Sequence, residues 1–258
     1  MSDAPEFTGE RLHAGDALFA VDLARHEAAY EIAKARIGAG RVLDLGCGSG
    51  YGAAGLAARS ARVVALDRVP PDPASRRGGA RFVRADLGAL PLAPRAFELV
   101  ASFQVIEHLV DPGPYLDAIA RCLAPGATAI LTTPNLLTSD GVNPYHIHEY
   151  TAEELERVLL TRFAEVEMHG IGASEPVRRT LEGRSRRIRR IMRLDPLRLR
   201  DRLPRALVER LFALFAILVR RQTGASAGTP GATWRDFPLG PADERCLDLL
   251  AFCRSPRA

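Results

Sequence analysis

The chain has 258 residues, 47% hydrophobic and 26% charged, with mean hydropathy near zero and a formal net charge of +4. That length can bury a full core in one unit and that composition is ordinary for a soluble α/β enzyme, which excludes a disordered, fibrous or membrane-embedded chain. Cys47, Cys122, Cys246 and Cys253 form no C-x-x-C pair, and Met1 to Glu6 lacks the basic-then-apolar start of a secretory signal, so reduced thiols and a cytoplasmic location are expected.

The first predicted strand is Val42-Leu43-Asp44-Leu45, running into Gly46-Cys47-Gly48-Ser49-Gly50. Glycines serve where backbone turns sharply and approaches a ligand with no Cβ in the way, and the amides beyond them open a helix whose N-terminus faces that ligand. A nucleoside cofactor suits such a site. The carboxylate of Asp44 would repel the pyrophosphate of a dinucleotide, but it can accept from waters or amines around the α-amino group of S-adenosylmethionine. Gly50-Tyr51-Gly52-Ala53-Ala54-Gly55 is formally a G-x-G-x-x-G and keeps a dinucleotide site as an alternative, as is a plain strand-turn-helix. Register speaks against the dinucleotide, because that pattern should follow its strand immediately and Gly50 lies several residues past Leu45.

Arg62 to Asp67 reads as a second strand. Asp67, with Arg68 beside it, then sits at the carboxyl end of the neighbouring strand, placed for both ribose hydroxyls; a mere turn residue is the alternative. Such a charge-assisted bond is worth roughly 1.5 to 3 kcal/mol. Ser75 to Gly79 is poor in helix formers, so the next helix should be short. A third strand, Ala80 to Asp86, ends in an acid that could accept from the adenine amino group while the Leu87 amide donates to the ring. A fourth, Phe97 to Val105, leads into Ile106-Glu107-His108-Leu109. Beyond it, Pro114 to Arg121 should be a helix, Thr151-Ala152-Glu153-Glu154 a capping box opening a helix to about Arg162, and Phe163 to Ile171 a sixth strand.

On these residues the chain resembles the class I S-adenosylmethionine-dependent methyltransferases. The matching set is Val42 to Gly50, Asp67, Asp86 with Leu87, Phe97 to Leu109, and Leu123-Ala124-Pro125-Gly126 before a fifth strand, Thr128 to Asn135. The resemblance implies a doubly wound, Rossmann-like α/β fold with a seven-stranded, mostly parallel sheet, whose last strand, about Cys246 to Arg254, returns antiparallel between the fifth and sixth. It implies S-adenosylmethionine as cofactor, held by Asp44, Gly46, Cys47, Gly48, Gly50, Asp67, Arg68, Asp86, Leu87 and Phe103. Gln104 would hydrogen-bond toward the methionine end. Tyr30 and Tyr51 would flank the sulfonium, where an aromatic face attracts a cation by roughly 0.5 to 2 kcal/mol, unless both are ordinary core. Phe7 to Leu12, followed by His26 and Tyr30 on a helix, looks like the N-terminal cap of bacterial members that modify sugars, lipids and secondary metabolites. The expected organisation is a cap over residues 1–38, a donor-binding core over 39–173, a basic helical insertion and linker over 174–233, and a closing strand within 234–258.

Methyl transfer is an in-line displacement, so alignment matters most and can supply roughly 7 to 11 kcal/mol. An alcohol acceptor must also lose a proton, and a base near neutral pKa adds ~10² to 10⁴ in rate. His146 and His148 lie in Asn143-Pro144-Tyr145-His146-Ile147-His148-Glu149-Tyr150, a loop expected to overhang the acceptor pocket. The Asn-Pro-Tyr-His context resembles the family's acceptor-side loop, making His146 the expected base and His108 the second candidate; a structural role is the alternative for each. Ubiquinone-biosynthesis relatives place a divalent metal on Glu-x-x-Glu-His, whereas Gln104-Val105-Ile106-Glu107-His108 lacks the first carboxylate, so no metal is expected. The expected reaction is O-methylation of a sugar, glycolipid or secondary metabolite. N-methylation of an amino sugar and a non-catalytic donor-fold protein are the alternatives.

Residues 178–221 hold fifteen arginines against Glu182, Asp195, Asp201 and Glu209, so this segment carries the whole basic excess. Leu203 to Arg221 reads as a helix with an apolar centre, Leu211 to Val219, that rises only about 14 Å and cannot cross a bilayer core of ~30 Å. Either it lies over a lipid-like acceptor or an inner membrane face, or it packs on the domain or in a dimer interface. Nucleic acid is not an expected partner: Phe212 and Phe215 are the segment's only stacking faces, and no Asn/Asp-Pro-Pro-aromatic turn follows the fourth strand.

Overall fold

A computed structural model describes residues 20–60, 62–87, 90–141, 143–192 and 231–257. In chain order the elements are α1 (Ala20–Lys34), β1 (Val42–Leu45), α2 (Tyr51–Ala57), β2 (Val63–Asp67), β3 (Arg81–Arg84), β4 (Phe97–Phe103), α3 (Gly113–Cys122), β5 (Leu123–Pro134), α4 (Ala152–Leu159), β6 (Phe163–Ile171), α5 (Glu175–Met192), β7 (Leu239–Gly240) and β8 (Asp248–Pro256). Short 3-10 turns occupy Ser75–Gly78, Ile106–His108 and Trp234–Asp236. The first agrees with the short helix expected after the second strand.

The sheet order is β3-β2-β1-β4-β5-β8-β6-β7. Strands β1 to β5 pair in parallel, and β8 runs antiparallel between β5 and β6 as expected. The sheet has eight strands rather than seven. The extra one is β7, whose two residues pair with Gly170 and Ile171 at the far edge, too short to leave a period-2 signal. All four residues of β1 are buried, as a central parallel strand covered on both faces requires.

Two apolar layers sandwich the sheet. One packs Leu116, Ile119, Leu155 and Leu159 of α3 and α4 against Leu43, Leu45 and Leu131. The other sets Ala24, Ala28, Ala29 and Ala33 of α1, with Leu56 and Val177, against Leu99, Ile130, Leu250 and Phe252. Small alanines let α1 lie close to the sheet, which brings Arg25 and Tyr30 to its working edge. Cys47, Cys122, Cys246 and Cys253 are all buried and free.

Boundaries differ from expectation where tertiary pairing wins. The fifth strand starts at Leu123, absorbing the segment Leu123-Gly126 expected to precede it, because Leu123 pairs with Phe97 and a register shift follows before Leu99 meets Thr128. Thr151 caps α4 by accepting from the Glu154 amide at 3.2 Å, but the helix ends at Leu159, short of Arg162. The last strand opens at Asp248, two residues after Cys246, and reaches Pro256. The segment Phe7 to Leu12, the stretch Leu203 to Arg221 expected to be a helix, and most of the linker lie outside the described residues. No helix among the described residues is long and apolar enough to cross a membrane.

Candidate functional site

Connections leave β1 and β4 toward opposite sides of the sheet, and ligands of doubly wound folds bind in the crevice at that switch point. Gly46 turns the chain there at φ 82°; a Cβ on it would lie 2.4 Å from Val105 Cγ2. Gly48, at φ 53°, faces open space. Its amide donates to Asp67 Oδ2 at 2.8 Å, and the Val69 amide donates to Oδ1 at 3.0 Å. Both carboxylate oxygens are thereby fixed while retaining lone pairs for a further donor. Asp67, Cys47, Val69, Phe82 and Arg84 line a cavity of about 370 Å³.

Deeper in the crevice, Asp44 is fully buried, and the Tyr30 hydroxyl donates to its carboxylate, 3.3 Å from each oxygen. Burial pushes the Asp44 carboxyl up to about 7; the Tyr30 hydrogen bond opposes that rise and the Asp67 charge adds to it. The Tyr30 ring meets Phe103 and Tyr51 edge to face at 4.9 and 5.7 Å. Gly52 makes room for it, since a Cβ there would lie 1.9 Å from Tyr30 Cζ. Cys47 packs among Ala53, Ala65 and Phe82, and burial holds its thiol far above the usual range. Gly50 starts α2 in left-handed conformation.

The remaining expected donor residues are placed less centrally. Arg68 is exposed, and its carbonyl accepts from Arg84 Nε at 2.9 Å. β3 stops at Arg84, so Asp86 lies exposed two residues beyond the strand expected to end on it, and Leu87 is half-buried against the core. Gln104, at φ 57°, donates from its side-chain amide to Asp248 Oδ1 at 3.0 Å and lies 3.4 Å from Thr132 Oγ1, which ties it to β8 and β5.

Beside this crevice the turn Ile106–His108 meets the loop of residues 143–150. The Glu107 carbonyl accepts from the Ile147 and His148 amides at 2.7 and 3.2 Å. His108 Nδ1 lies 3.0 Å from the Tyr145 carbonyl, so it carries the proton and Nε2 keeps its lone pair. The His108 and His146 rings stack edge to face at 5.1 Å. His146 is engaged at both nitrogens. Nδ1 pairs with Glu149 Oε1 at 2.6 Å, and Nε2 is 2.8 Å from Asn143 Nδ2, whose own Oδ1 accepts from the Tyr145 amide. His148 is exposed and bound to Glu154.

Sequence reasoning missed three side chains of this rim. Glu107 is buried and accepts from Thr133 Oγ1 at 3.0 Å. Arg25 of α1 donates from Nε to Asp248 at 2.5 Å and from Nη2 to the Leu247 carbonyl at 2.9 Å. Asp248 thus joins Arg25 to Gln104. The one available signal was a lone acid opening the apolar run Leu249 to Cys253.

Glu107, His108 and His146 could each offer one metal-ligand atom, all within 4.8 Å of one another. Zinc wants at least three protein ligands and harder cations several oxygens. With His146 committed to Glu149 and Asn143, and Gln104 to Asp248, two uncommitted atoms remain. That is fewer than either class of ion takes.

The model of a methyltransferase domain family matches residues 43–131, from β1 into β5. A probable S-adenosylmethionine-dependent methyltransferase of Mycolicibacterium smegmatis is 37% identical over 190 residues, 68% of this chain and 73% of the relative. A ubiquinone biosynthesis O-methyltransferase of Xylella fastidiosa is 34% identical over 103 residues, 37% of this chain and 42% of its own length. A methyltransferase structure from Thermotoga maritima superposes with a TM-score of 0.59, covering 92% of this chain and 91% of that one, and at 12% identity the likeness concerns the fold. The glycine turn, the acids Asp44 and Asp67 at the strand ends and this kinship agree: the chain belongs to the S-adenosylmethionine-dependent methyltransferases, and S-adenosylmethionine is its cofactor.

Proposed function

We propose that the enzyme methylates a hydroxyl of a small-molecule acceptor, a sugar, glycolipid or secondary metabolite, with His108 as the proton acceptor. The observation that carries this reading is the free Nε2 of His108 beside the donor crevice, with its tautomer fixed by the Tyr145 carbonyl. The match to a ubiquinone biosynthesis O-methyltransferase supports oxygen as the target atom. His146, the expected base, is better read as a strut, because Asn143 and Glu149 occupy both of its nitrogens.

The cofactor, when bound, supplies an electrophilic methyl on a cationic sulfur. Asp44 would receive its α-ammonium in place of the Tyr30 hydroxyl, Asp67 its ribose hydroxyls, Asp86 and the Leu87 amide its adenine, and Tyr30 and Tyr51 would lie by the sulfonium. His108 would take the acceptor proton at Nε2 as the oxygen attacks, while the fixed crevice aligns the reactants. No metal takes part in this reading. Contact with a lipid-like acceptor or membrane surface through residues 178–221 is part of it. In α5, the start of that segment, Arg184 pairs with Asp22 of α1 at 3.1 Å.

The test incubates the purified protein with methyl-labelled donor and fractionated extracts. Label should enter a hydroxylated compound that gains one methylene in mass. His108→Gln should lower turnover by about a hundredfold while sparing donor affinity, and His146→Gln should cost less. Label on nitrogen, or full turnover in His108→Gln, would overturn the reading.

A further inference from the structure

We infer that Glu107 is a positioning residue for His108: its carboxylate holds the imidazolium formed when His108 accepts the acceptor's proton. This rests on the His108 reading above and extends it to a residue that touches neither donor nor acceptor. Glu107 is 0% exposed, and its Oε1 is, among the described residues, the buried side-chain oxygen without a hydrogen bond. Folded proteins rarely leave a buried acceptor in that state, so the atom lacks a donor. Thr133 satisfies only Oε2.

The group facing Oε1 is His108 Nε2, 4.0 Å away, too far for a hydrogen bond. In the neutral tautomer two acceptors confront each other across that gap. A proton on Nε2 turns the confrontation into attraction between an imidazolium and a carboxylate 4.0 Å apart, with the Nδ1 proton held by the Tyr145 carbonyl. The other groups that face the pair do not compete for this role. His146 and Glu149 from the 143–150 loop satisfy each other, Arg25 of α1 is spent on Asp248, Tyr115 of α3 donates to Ser102, and Tyr150 lies against His148. Burial pushes the Glu107 carboxyl up, and the positive charge of His108 is the largest effect opposing that rise, so carboxylate and imidazolium favour each other as the proton passes from the acceptor oxygen to Nε2; the partly exposed ring later releases the proton to water.

Glu107→Gln preserves shape and the Thr133 contact while removing the charge. With labelled donor and the acceptor found in the extract screen, kcat should fall at least tenfold, donor Kd and acceptor KM should stay within a factor of about two, and Glu107→Asp should recover part of the loss. Independently of any acceptor, 15N NMR of the donor-bound protein should show the His108 imidazolium disappearing about one pH unit lower in Glu107→Gln, the equivalent of that tenfold. An unchanged titration in folded Glu107→Gln and Glu107→Asp overturns the inference. So does loss of wild-type activity to a chelator with recovery on adding magnesium or zinc, which would make Glu107 a ligand. Full activity of His108→Gln would instead remove the base reading beneath it.

Discussion

Asp44 concentrates the donor chemistry in one buried carboxyl. Its ordinary value of 3.8 rises to about 7 because burial disfavours the charge, so without donor the folded state holds the proton more tightly than the unfolded chain does. Stability from this group is therefore full below about pH 4 and declines as pH rises to about 7. An ammonium placed against Asp44 reverses that preference, since only the ionised form can pair with it. Donor affinity by calorimetry should rise more than tenfold between pH 5.5 and 7, following the ionised fraction. A flat profile would mean that the α-amino group sits elsewhere. Asp67 is held by two backbone amides in a partly open position.

Among the elements, α2 shows how a single missing Cβ positions a neighbour. Gly52 sits in the first turn of the helix, and Tyr30 of α1 fills the space above it. Gly52→Ala gains up to about 1 kcal/mol of helix propensity, but a Cβ 1.9 Å from Tyr30 Cζ forces an overpacked rearrangement worth about 1 to 3 kcal/mol. The net should be destabilising by urea denaturation and should weaken donor binding as Tyr30 leaves Asp44; an unchanged midpoint would show that Tyr30 yields at no cost. The strands and the glycine turn were legible in the sequence because apolar runs ending in acids carry their own period and punctuation. Gln104 was not. Its position after the fourth strand is local information, but the direction of its amide is set by Asp248, 144 residues away. Glu107 was hidden for a related reason: beside a missing carboxylate it read as the remnant of a metal segment, while its unpaired oxygen exists only once the 143–150 loop closes over it.

At the scale of the molecule, the ends of the described chain meet at the working edge. Arg25 on the first helix and Asp248 on the last strand are 223 residues apart, yet they form a two-nitrogen ion pair that also receives Gln104. Such a tie makes the α1 face, the sheet edge and the antiparallel β8 one cooperative unit, so α1 cannot lift from the donor crevice without breaking it. The Asp248 side chain is 3% exposed and that of Arg25 23%. Removing the carboxylate therefore strands a cation that water only partly reaches. Breaking a fully buried pair costs about 3 to 5 kcal/mol, and the partial exposure of Arg25 lowers the expected loss for Asp248→Asn to about 2 to 3 kcal/mol. Because α1 carries Tyr30, the same change should loosen donor binding although Asp248 touches no donor. Arg25→Met in the Asp248→Asn background should recover most of the stability, since a methionine leaves no unpaired charge. Equal stability of Asp248→Asn and the parent chain in urea would show that α1 is held by its alanine face alone.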